Sequence, residues 1–335
     1  MSLQASVAIS WVGTVLAAAQ RQGVSRQALL AQAGLALDAL QLERWPIDDI
    51  TRLWRAAVQC TQNASFGLEA GSQVGPDNFN VVGELLQASA TLREAIAALQ
   101  KYQRLISDGG RFQVLAGASA SWLIYHPRQG ALAFSPHQVE AVLAAVLAFV
   151  RGAMGAAVRP QQVQFSQPRV GPLAAYRRVF ACPLAFEQAF NGVLLDNALL
   201  DAPLARADAR RARWHQQQAA ARLAGLTQGG ALAQELRAWM GAALTRRVPT
   251  RAEAARALGV SERTLARRMQ ARGLSFSGLL DAVRREAALQ AVAQGEQPLA
   301  EIAQALGFAE PAVFWRAFRR WTGHTPAQWR QRAGC

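Results

Sequence analysis

The same short pattern occurs twice in the last 95 residues of the chain, with matching positions 48 to 50 residues apart. Leu258 recurs as Leu306 after 48 positions, and Gly273 recurs as Gly323 after 50. Each copy contains a helix-forming segment, a glycine and a second segment rich in arginine. A repeat with this period indicates a duplicated structural unit. The C-terminal part is therefore predicted to be built from two copies of one small helical motif.

Each copy predicts a helix-turn-helix. Gly259 and Gly307 are placed to form the turns, because glycine readily adopts the backbone conformation that such a turn requires. Ser261 is expected to cap the second helix of the first copy, and Pro311 is expected in the first turn of its helix. The second helix of this motif enters the major groove of DNA. Double-stranded DNA is therefore the predicted partner.

Side-chain spacing gives each second helix two faces. Leu265 and Met269 are four residues apart, as are Phe314 and Phe318, so both pairs are expected to pack inward. The opposite faces are available to a groove and consist of Arg263, Ala266, Arg267 and Gln270 in one helix and Ala312, Trp315, Arg316 and Arg319 in the other. Arginine suits bidentate contact with guanine.

Residues 302–330, which read IAQALGFAEPAVFWRAFRRWTGHTPAQWR, resemble the C-terminal signature of the AraC/XylS family of transcriptional regulators. The similarity includes the Gly-Phe turn, the Phe-x-Arg-x-Phe helix and the Thr-Pro pair before the last arginine. The DNA-binding unit of that family has two helix-turn-helix motifs joined by a long helix. The resemblance implies an all-α C-terminal domain, in which residues 277–293 form the joining helix.

The resemblance also implies which side chains contact DNA. The expected base contacts are Arg263, Ala266, Arg267, Ala312, Trp315 and Arg316. Ala266, Ala312 and Trp315 are not the polar side chains expected to read bases by hydrogen bonding, so direct readout is expected to rest mainly on the arginines. The expected phosphate contacts are Arg268, Arg319 and Arg320.

The charge distribution supports the DNA assignment independently. The chain has a formal net charge of +14. Residues 246–335 contain 15 basic and 7 acidic side chains, whereas residues 1–205 contain 15 and 13. The excess positive charge is thus concentrated where the repeat lies, as phosphate binding requires.

Composition divides the chain into three predicted parts. They are an effector-binding or oligomerisation domain at 1–205, a linker helix and hinge at 206–230, and a double helix-turn-helix domain at 231–335. Residues 203–224 predict a polar helix rich in Arg and Gln. The glycines within 225–230 are expected to end that helix and to provide a flexible connection.

The N-terminal part has the pattern of an α+β domain. A capping box at Thr91 and Glu94 predicts the start of a helix. One face of that helix and its continuation carries Leu92, Ile96, Leu99 and Ile106. Short apolar or alternating segments lie at 112–114, 121–125, 163–165 and 193–195. We expect helices packed on a small antiparallel sheet.

The N-terminal part also resembles the arabinose-binding-type domain of the ornithine-utilisation-regulator-like branch of the same family. The similar stretches are SFGL at 65–68, ASATLREA at 88–95 and YRRVFACPLAF at 176–186. The resemblance implies a small-molecule effector, without identifying arabinose as that molecule.

Two groups of side chains are candidates for the effector site. Trp122, Tyr125 and His126 share one short strand, and amphipathic aromatic side chains often line ligand cavities. Lys101 and Arg104 lie one helical turn apart, where they would hold an acidic effector. The alternatives are ordinary core packing for the aromatic residues and a solvated helix face for the two cations.

The sequence contains none of the motifs that support enzymatic chemistry or metal binding. Its three cysteines lack metal-ligand spacing, and it has no nucleophile elbow, phosphate-binding glycine loop or zinc motif. We therefore expect no enzyme activity, cofactor or metal. The apolar run at 139–150 is too short to span a membrane and predicts a buried helix. Residues 7–19 predict an N-terminal helix rather than a signal peptide. These features favour a bacterial cytoplasmic protein.

Two hypotheses about function remain open. In the first, the chain is an effector-responsive transcriptional regulator, and the resemblance favours an activator that acts on RNA polymerase as a homodimer. In the second, the N-terminal domain is an oligomerisation module or an enzyme-like domain fused to a DNA anchor. An apolar dimer face and an apolar pocket have the same sequence pattern, so the residues alone leave both open.

Overall fold

The computed structural model describes residues 5–244, 247–272, 274–295 and 297–333. They form two compact units, separated in the chain between Leu223 and Ala224. Gly273, predicted to end the first repeat, lies outside the described residues.

The N-terminal unit is an α+β domain. Its helices are α1 (Ile9–Arg21), α2 (Arg26–Gln32), α3 (Ile47–Thr61), α4 (Phe66–Ser72), α5 (Asn80–Ala88), α6 (Leu92–Tyr102), α7 (Pro136–Met154), α8 (Leu173–Phe180) and α9 (Asn197–Asp201). Short 3-10 helices span Leu37–Gln41, Pro76–Phe79 and Gln103–Leu105. Its strands are β1 (Ser6–Ala8), β2 (Arg44–Pro46), β3 (Gly110–Leu115), β4 (Ala120–Pro127), β5 (Gln162–Gln164), β6 (Leu184–Ala185) and β7 (Asn191–Asp196).

The main sheet has the strand order β3-β4-β7-β5-β6. The pairs β3–β4, β4–β7 and β7–β5 are antiparallel, with Phe112 opposite Tyr125 and Tyr125 opposite Asn191. The pair β5–β6 is parallel. The predicted antiparallel sheet is confirmed, with one short parallel edge that the sequence did not indicate. Strands β1 and β2 form a separate antiparallel pair.

Helix α7 lies in the core of this unit and packs closely on α4. A Cβ atom at Gly67 would lie 2.2 Å from the carbonyl oxygen of His137, and one at Gly71 would lie 2.3 Å from that of Ala141. Glycine at both positions allows the two helix backbones to approach. By length and composition Pro136–Met154 would be able to cross a membrane, but half of its apolar window is buried within the protein. The expectation of a buried helix over 139–150 is confirmed.

Helix α10 spans Ala209–Leu244. Its start is fixed by Asp208, whose Oδ1 accepts hydrogen bonds from the backbone amides of Arg210 and Arg211, both at 2.9 Å. The expected end of this helix at 225–230 is wrong, because the helix continues through the glycines. A glycine in a helix costs only about 1 kcal/mol relative to alanine. The later turns of α10 bury Leu236 and Met240, which offsets that cost.

The C-terminal unit is entirely helical among its described residues. After the end of α10 it contains α11 (Arg251–Ala257), α12 (Glu262–Gln270), α13 (Phe276–Gln294), α14 (Leu299–Ala305), α15 (Pro311–Thr322) and α16 (Pro326–Ala333). Helix α13 matches the joining helix predicted at 277–293. Leu265, Met269, Phe314 and Phe318 are all buried in one core, as their spacing predicts.

Candidate nucleic-acid interface and effector cavity

The first helix-turn-helix consists of α11 and α12. Gly259 forms the turn with a φ of +65°. The Ser261 hydroxyl oxygen accepts a hydrogen bond from the Thr264 amide at 3.1 Å and caps α12. Thr250 and Glu253 form a capping box at the start of α11. The predicted turn at Gly259 and the predicted cap at Ser261 are thus present, and the capping box at Thr250 is an addition to the predictions.

The second helix-turn-helix consists of α14 and α15. Gly307 forms the turn with a φ of +73°, and Pro311 occupies the first turn of α15. Arg284 of α13 donates two hydrogen bonds to this turn, from Nε to the Leu306 carbonyl and from Nη2 to the Gly307 carbonyl, both at 2.9 Å. Its guanidinium carbon also lies 4.8 Å from the centre of the Phe308 ring. The joining helix therefore fixes the turn that orients α15.

The outward faces of α12 and α15 carry unpaired arginines. Arg263, Arg267, Arg316 and Arg319 are exposed, and within the described part of the chain their guanidinium groups have no hydrogen-bond or ion-pair partner. Trp315 is 50% exposed on the face of α15, which is unusual for a side chain of this size. The expected base contacts at Ala266 and Ala312 are partly buried alanines on the same faces. Arg267 and Arg316 thus occupy matching positions on the two helices, whereas Arg263 and Ala266 are matched by Ala312 and Trp315.

The expected phosphate contacts have different surroundings. Arg268 is exposed, and its guanidinium has no partner among the residues that the structure describes. Arg320 instead donates from Nη2 to Oδ1 of Asp281 at 2.7 Å. The other carboxylate oxygen of Asp281 accepts a hydrogen bond from Nε1 of Trp321 at 2.9 Å. Arg320 is therefore already paired with a carboxylate, whereas the guanidinium groups of Arg268 and Arg319 are unpaired among the described residues.

The N-terminal unit contains a cavity of about 90 Å³ between α6, α7 and the strands β3 and β4. The predicted apolar helix face, made of Leu92, Ile96, Leu99 and Ile106, lines it in full. Of the five candidate effector residues, Tyr125 lies on this cavity. Its hydroxyl donates a hydrogen bond to the Gly109 carbonyl at 3.2 Å, and burial raises its pKa.

The other two aromatic candidates lie on the opposite face of β4, because successive strand residues alternate between the faces of a sheet. Trp122 packs edge-to-face on Phe190, with ring centres 5.3 Å apart. His126 Nε2 lies 2.9 Å from Oε1 of Gln113 on the neighbouring strand. The structure therefore does not bring these two side chains to the cavity with Tyr125.

The two cationic candidates also lie away from the cavity. Lys101 is exposed, and its Nζ lies 5.2 Å from the centre of the Tyr102 ring. Arg104 donates from Nε to Oδ1 of Asp108 at 2.9 Å. Neither cation lines the cavity, so this cavity gives no support to an acidic effector bound by that pair.

A buried polar cluster in α7 has no counterpart in the sequence-based predictions. Glu140 is fully buried, and its carboxylate accepts a hydrogen bond from the Tyr176 hydroxyl and lies 3.0 Å from Nδ1 of His137. Burial, followed by the Glu140 charge, raises the pKa of Tyr176. The spacing of His137 and Glu140, three residues apart on one helix, was the available signal. No group of His, Cys, Asp and Glu suited to a metal ion occurs among the described residues.

Each of the two units matches a known protein family. Residues 23–204 match the family described as the arabinose-binding domain of AraC transcription regulators, and residues 254–332 match a helix-turn-helix domain. The ornithine utilization regulator of Pseudomonas aeruginosa is 29% identical, over 97% of this chain and 96% of that protein. The transcriptional regulator VirS of Mycobacterium tuberculosis is 27% identical, over 80% of this chain and 79% of that protein. The crystal structure of the regulator CdpR from Pseudomonas aeruginosa has a TM-score of 0.45 and 22% identity, covering 91% and 96% of the two chains.

The matched helix-turn-helix motifs and the N-terminal domain type define a DNA-binding transcriptional regulator. The N-terminal family match covers more than half of the chain, so the chain belongs to the AraC family of transcription regulators. The predicted α+β domain followed by an all-α DNA-binding domain is confirmed. DNA is the partner of the C-terminal unit, and the relatives named above are regulators.

Proposed function

We propose that α12 and α15 read adjacent segments of the major groove, with Arg267 and Arg316 as the principal base contacts and Arg263 beside them. The observation that carries the proposal is the exposed state of these guanidinium groups on the outward helix faces, where they have no partner among the described residues. An unpaired arginine gives up no internal bond when it contacts guanine. Trp315, together with Ala266 and Ala312, would add apolar contacts such as that with a thymine methyl group.

The test measures binding of the full chain to a selected duplex and to random duplex DNA. Arg267→Ala and Arg316→Ala are each expected to cost about 1 to 3 kcal/mol on the selected duplex and much less on random DNA. Arg178→Ala is the matched control, because Arg178 is also exposed but lies in the N-terminal unit. An equal loss of affinity for both DNAs would contradict base readout.

Arg268, Arg319 and Arg320 are proposed to bind phosphate. Replacing each by alanine should weaken binding to all sequences alike and lower the salt slope by about one. Arg320→Ala should have the smallest effect, since the carboxylate of Asp281, which already pairs with Arg320, offsets part of its attraction for phosphate.

We further propose that the N-terminal unit binds a small-molecule effector, as the description of its family suggests. The cavity beneath α7 supports this proposal because it lies within one unit and is lined mainly by apolar side chains. The competing proposal, an oligomerisation module without a ligand, predicts no ligand-dependent melting. A ligand at 100 times its dissociation constant should stabilise the protein by about 2.7 kcal/mol. Thermal melting with a metabolite panel therefore separates the two.

The remaining parts of the proposal rest on the family. The protein is proposed to act in the bacterial cytoplasm as a homodimeric activator that works with RNA polymerase. Residues 1–205 would bind the effector or a second subunit, residues 206–230 would transmit the signal, and residues 231–335 would bind DNA. Reporter transcription with and without the purified protein, together with its mass in solution, tests these statements.

A further inference from the structure

The cavity of the N-terminal unit is large enough for a small organic molecule. Its volume is about 90 Å³, several times the roughly 30 Å³ that one water occupies in the liquid. A compact ligand, such as a small substituted benzene, would fill it.

The described wall of the cavity is mainly apolar and carries no charged side chain. Helix α7 contributes a stripe with helical spacing, which consists of Gln138, Val142, Ala145, Val146, Phe149 and Val150. Aromatic rings of Trp11, Phe79, Phe112 and Tyr125 close other sides. Among the described residues that line the cavity, none carries a charge. A charged ligand would therefore lose its hydration without gaining an ionic partner.

Most polar groups on this wall already have partners. Gln103 uses both ends of its amide, since Oε1 accepts from the Phe112 backbone amide at 2.8 Å and Nε2 donates to the Gln100 carbonyl at 3.1 Å. The Tyr125 hydroxyl donates to a backbone carbonyl. Ser107 Oγ accepts from a backbone amide at 2.8 Å. These groups hold the wall in place.

Gln138 is the exception. Its side chain is on the cavity wall, the residue is 3% exposed, and its Oε1 is buried without a hydrogen-bond partner among the described residues. A buried polar atom without a partner is uncommon in native proteins and calls for an explanation, such as a water or a bound group. Because the last side-chain torsion of glutamine is broad, rotation about it would bring Oε1 from its buried position to the cavity. That rotation breaks no hydrogen bond to Oε1.

We propose that the cavity binds a neutral, largely apolar small molecule whose single hydroxyl or amide group donates a hydrogen bond to Gln138 Oε1. The inference rests on the proposed effector function and specifies its ligand class. A sugar is excluded because several of its hydroxyl groups would face apolar carbon without partners. A free amino acid is excluded because both of its charges would be unpaired. The ligand class therefore differs from the sugar that the family description names.

The test compares four probes on the full-length protein by calorimetry: benzyl alcohol, toluene, benzoate and L-arabinose. Benzyl alcohol has the predicted ring, size and donor, toluene lacks the donor, and benzoate adds a charge. We expect benzyl alcohol to bind about fivefold more tightly than toluene, which corresponds to the usual net value of one hydrogen bond. Benzoate and L-arabinose should bind at least tenfold more weakly than benzyl alcohol.

Two variants locate the site. Gln138→Leu removes the acceptor at similar volume, so it should abolish the preference for benzyl alcohol over toluene while toluene still binds. Val146→Phe fills the cavity and should reduce binding of both compounds, with the circular dichroism of the wild type retained. An unchanged preference in Gln138→Leu, or wild-type binding of L-arabinose or benzoate tighter than that of benzyl alcohol, would overturn the proposal. Absence of benzyl alcohol binding would do the same.

A second readout separates this inference from the proposed function. Each probe is added to the protein bound to its selected duplex, and the DNA affinity is measured. Binding of benzyl alcohol without any change in DNA affinity supports the ligand class and contradicts the effector role. A change in DNA affinity caused only by L-arabinose supports an effector role and overturns the ligand class.

Discussion

Replacement of Arg284 by methionine should release the turn of the second helix-turn-helix. Arg284 donates two hydrogen bonds of 2.9 Å to the carbonyls of Leu306 and Gly307, and it stacks on the Phe308 ring. Methionine retains an apolar stem of similar length but provides no donor. Because Arg284 is only half-buried, each lost charge-assisted bond is assigned the lower end of its usual range, about 1.5 kcal/mol. The expected destabilisation of the turn is therefore about 3 kcal/mol.

Amide hydrogen exchange measures this effect locally in the full chain. Because tenfold in an opening equilibrium corresponds to about 1.4 kcal/mol, amides of α14 should exchange about 100-fold faster in Arg284→Met. Arg285→Met is the matched control, since it removes the same charge from the next position, where the described residues provide no partner. A change below tenfold in Arg284→Met, or an equal change in the control, would refute the role assigned to Arg284.

Three further predictions concern stability. Gln138→Leu should raise the free energy of unfolding of the ligand-free N-terminal unit by about 1 to 3 kcal/mol, because it removes a buried acceptor without a partner among the described residues. A lower free energy of unfolding in urea denaturation would contradict this prediction. Ser261→Ala should destabilise α12 by about 1 kcal/mol in thermal melting, because the hydrogen bond from the Thr264 amide is lost. Ser261→Thr should retain most of the stability that the cap provides. Burial raises the pKa values of Tyr125 and Tyr176, so both keep their protons when folded, whereas unfolded tyrosine ionises near pH 10. The contribution of these two tyrosines to stability, measured in urea, should thus be constant below pH 10 and fall above it by up to about 1.4 kcal/mol per pH unit for each tyrosine. Tyr176→Phe should reduce the slope above pH 10.

The C-terminal unit was largely predictable because its signals are local and occur twice. The turn glycines, the cap at Ser261 and the proline at position 311 each act within one turn of helix, and all are found as predicted. The apolar pairs at spacing four also define the buried face without knowledge of the tertiary fold. Arg284 was not predicted, because its partners lie 22 and 23 residues further along the chain.

The cavity was less predictable because both faces of β4 carry aromatic side chains. Alternation separates Trp122 and His126 from Tyr125, but it does not indicate which face borders a cavity. Gln138 stands in an apolar helix at the correct spacing from Val142, yet an isolated glutamine has no distinct sequence signal. The end expected for α10 was wrong because glycine penalties are small and distant apolar contacts outweigh them.

The most direct test of the account is selection of bound sequences from random duplex DNA by the full-length protein, repeated with Arg267→Ala and Arg316→Ala. The account predicts a motif in two parts about one helical turn, roughly 34 Å, apart. Each substitution should weaken the sequence preference in one part of the motif, a different part for each, and leave the preference in the other part unchanged. Binding without a motif, or a motif in which both substitutions degrade the same part, would contradict readout by two recognition helices.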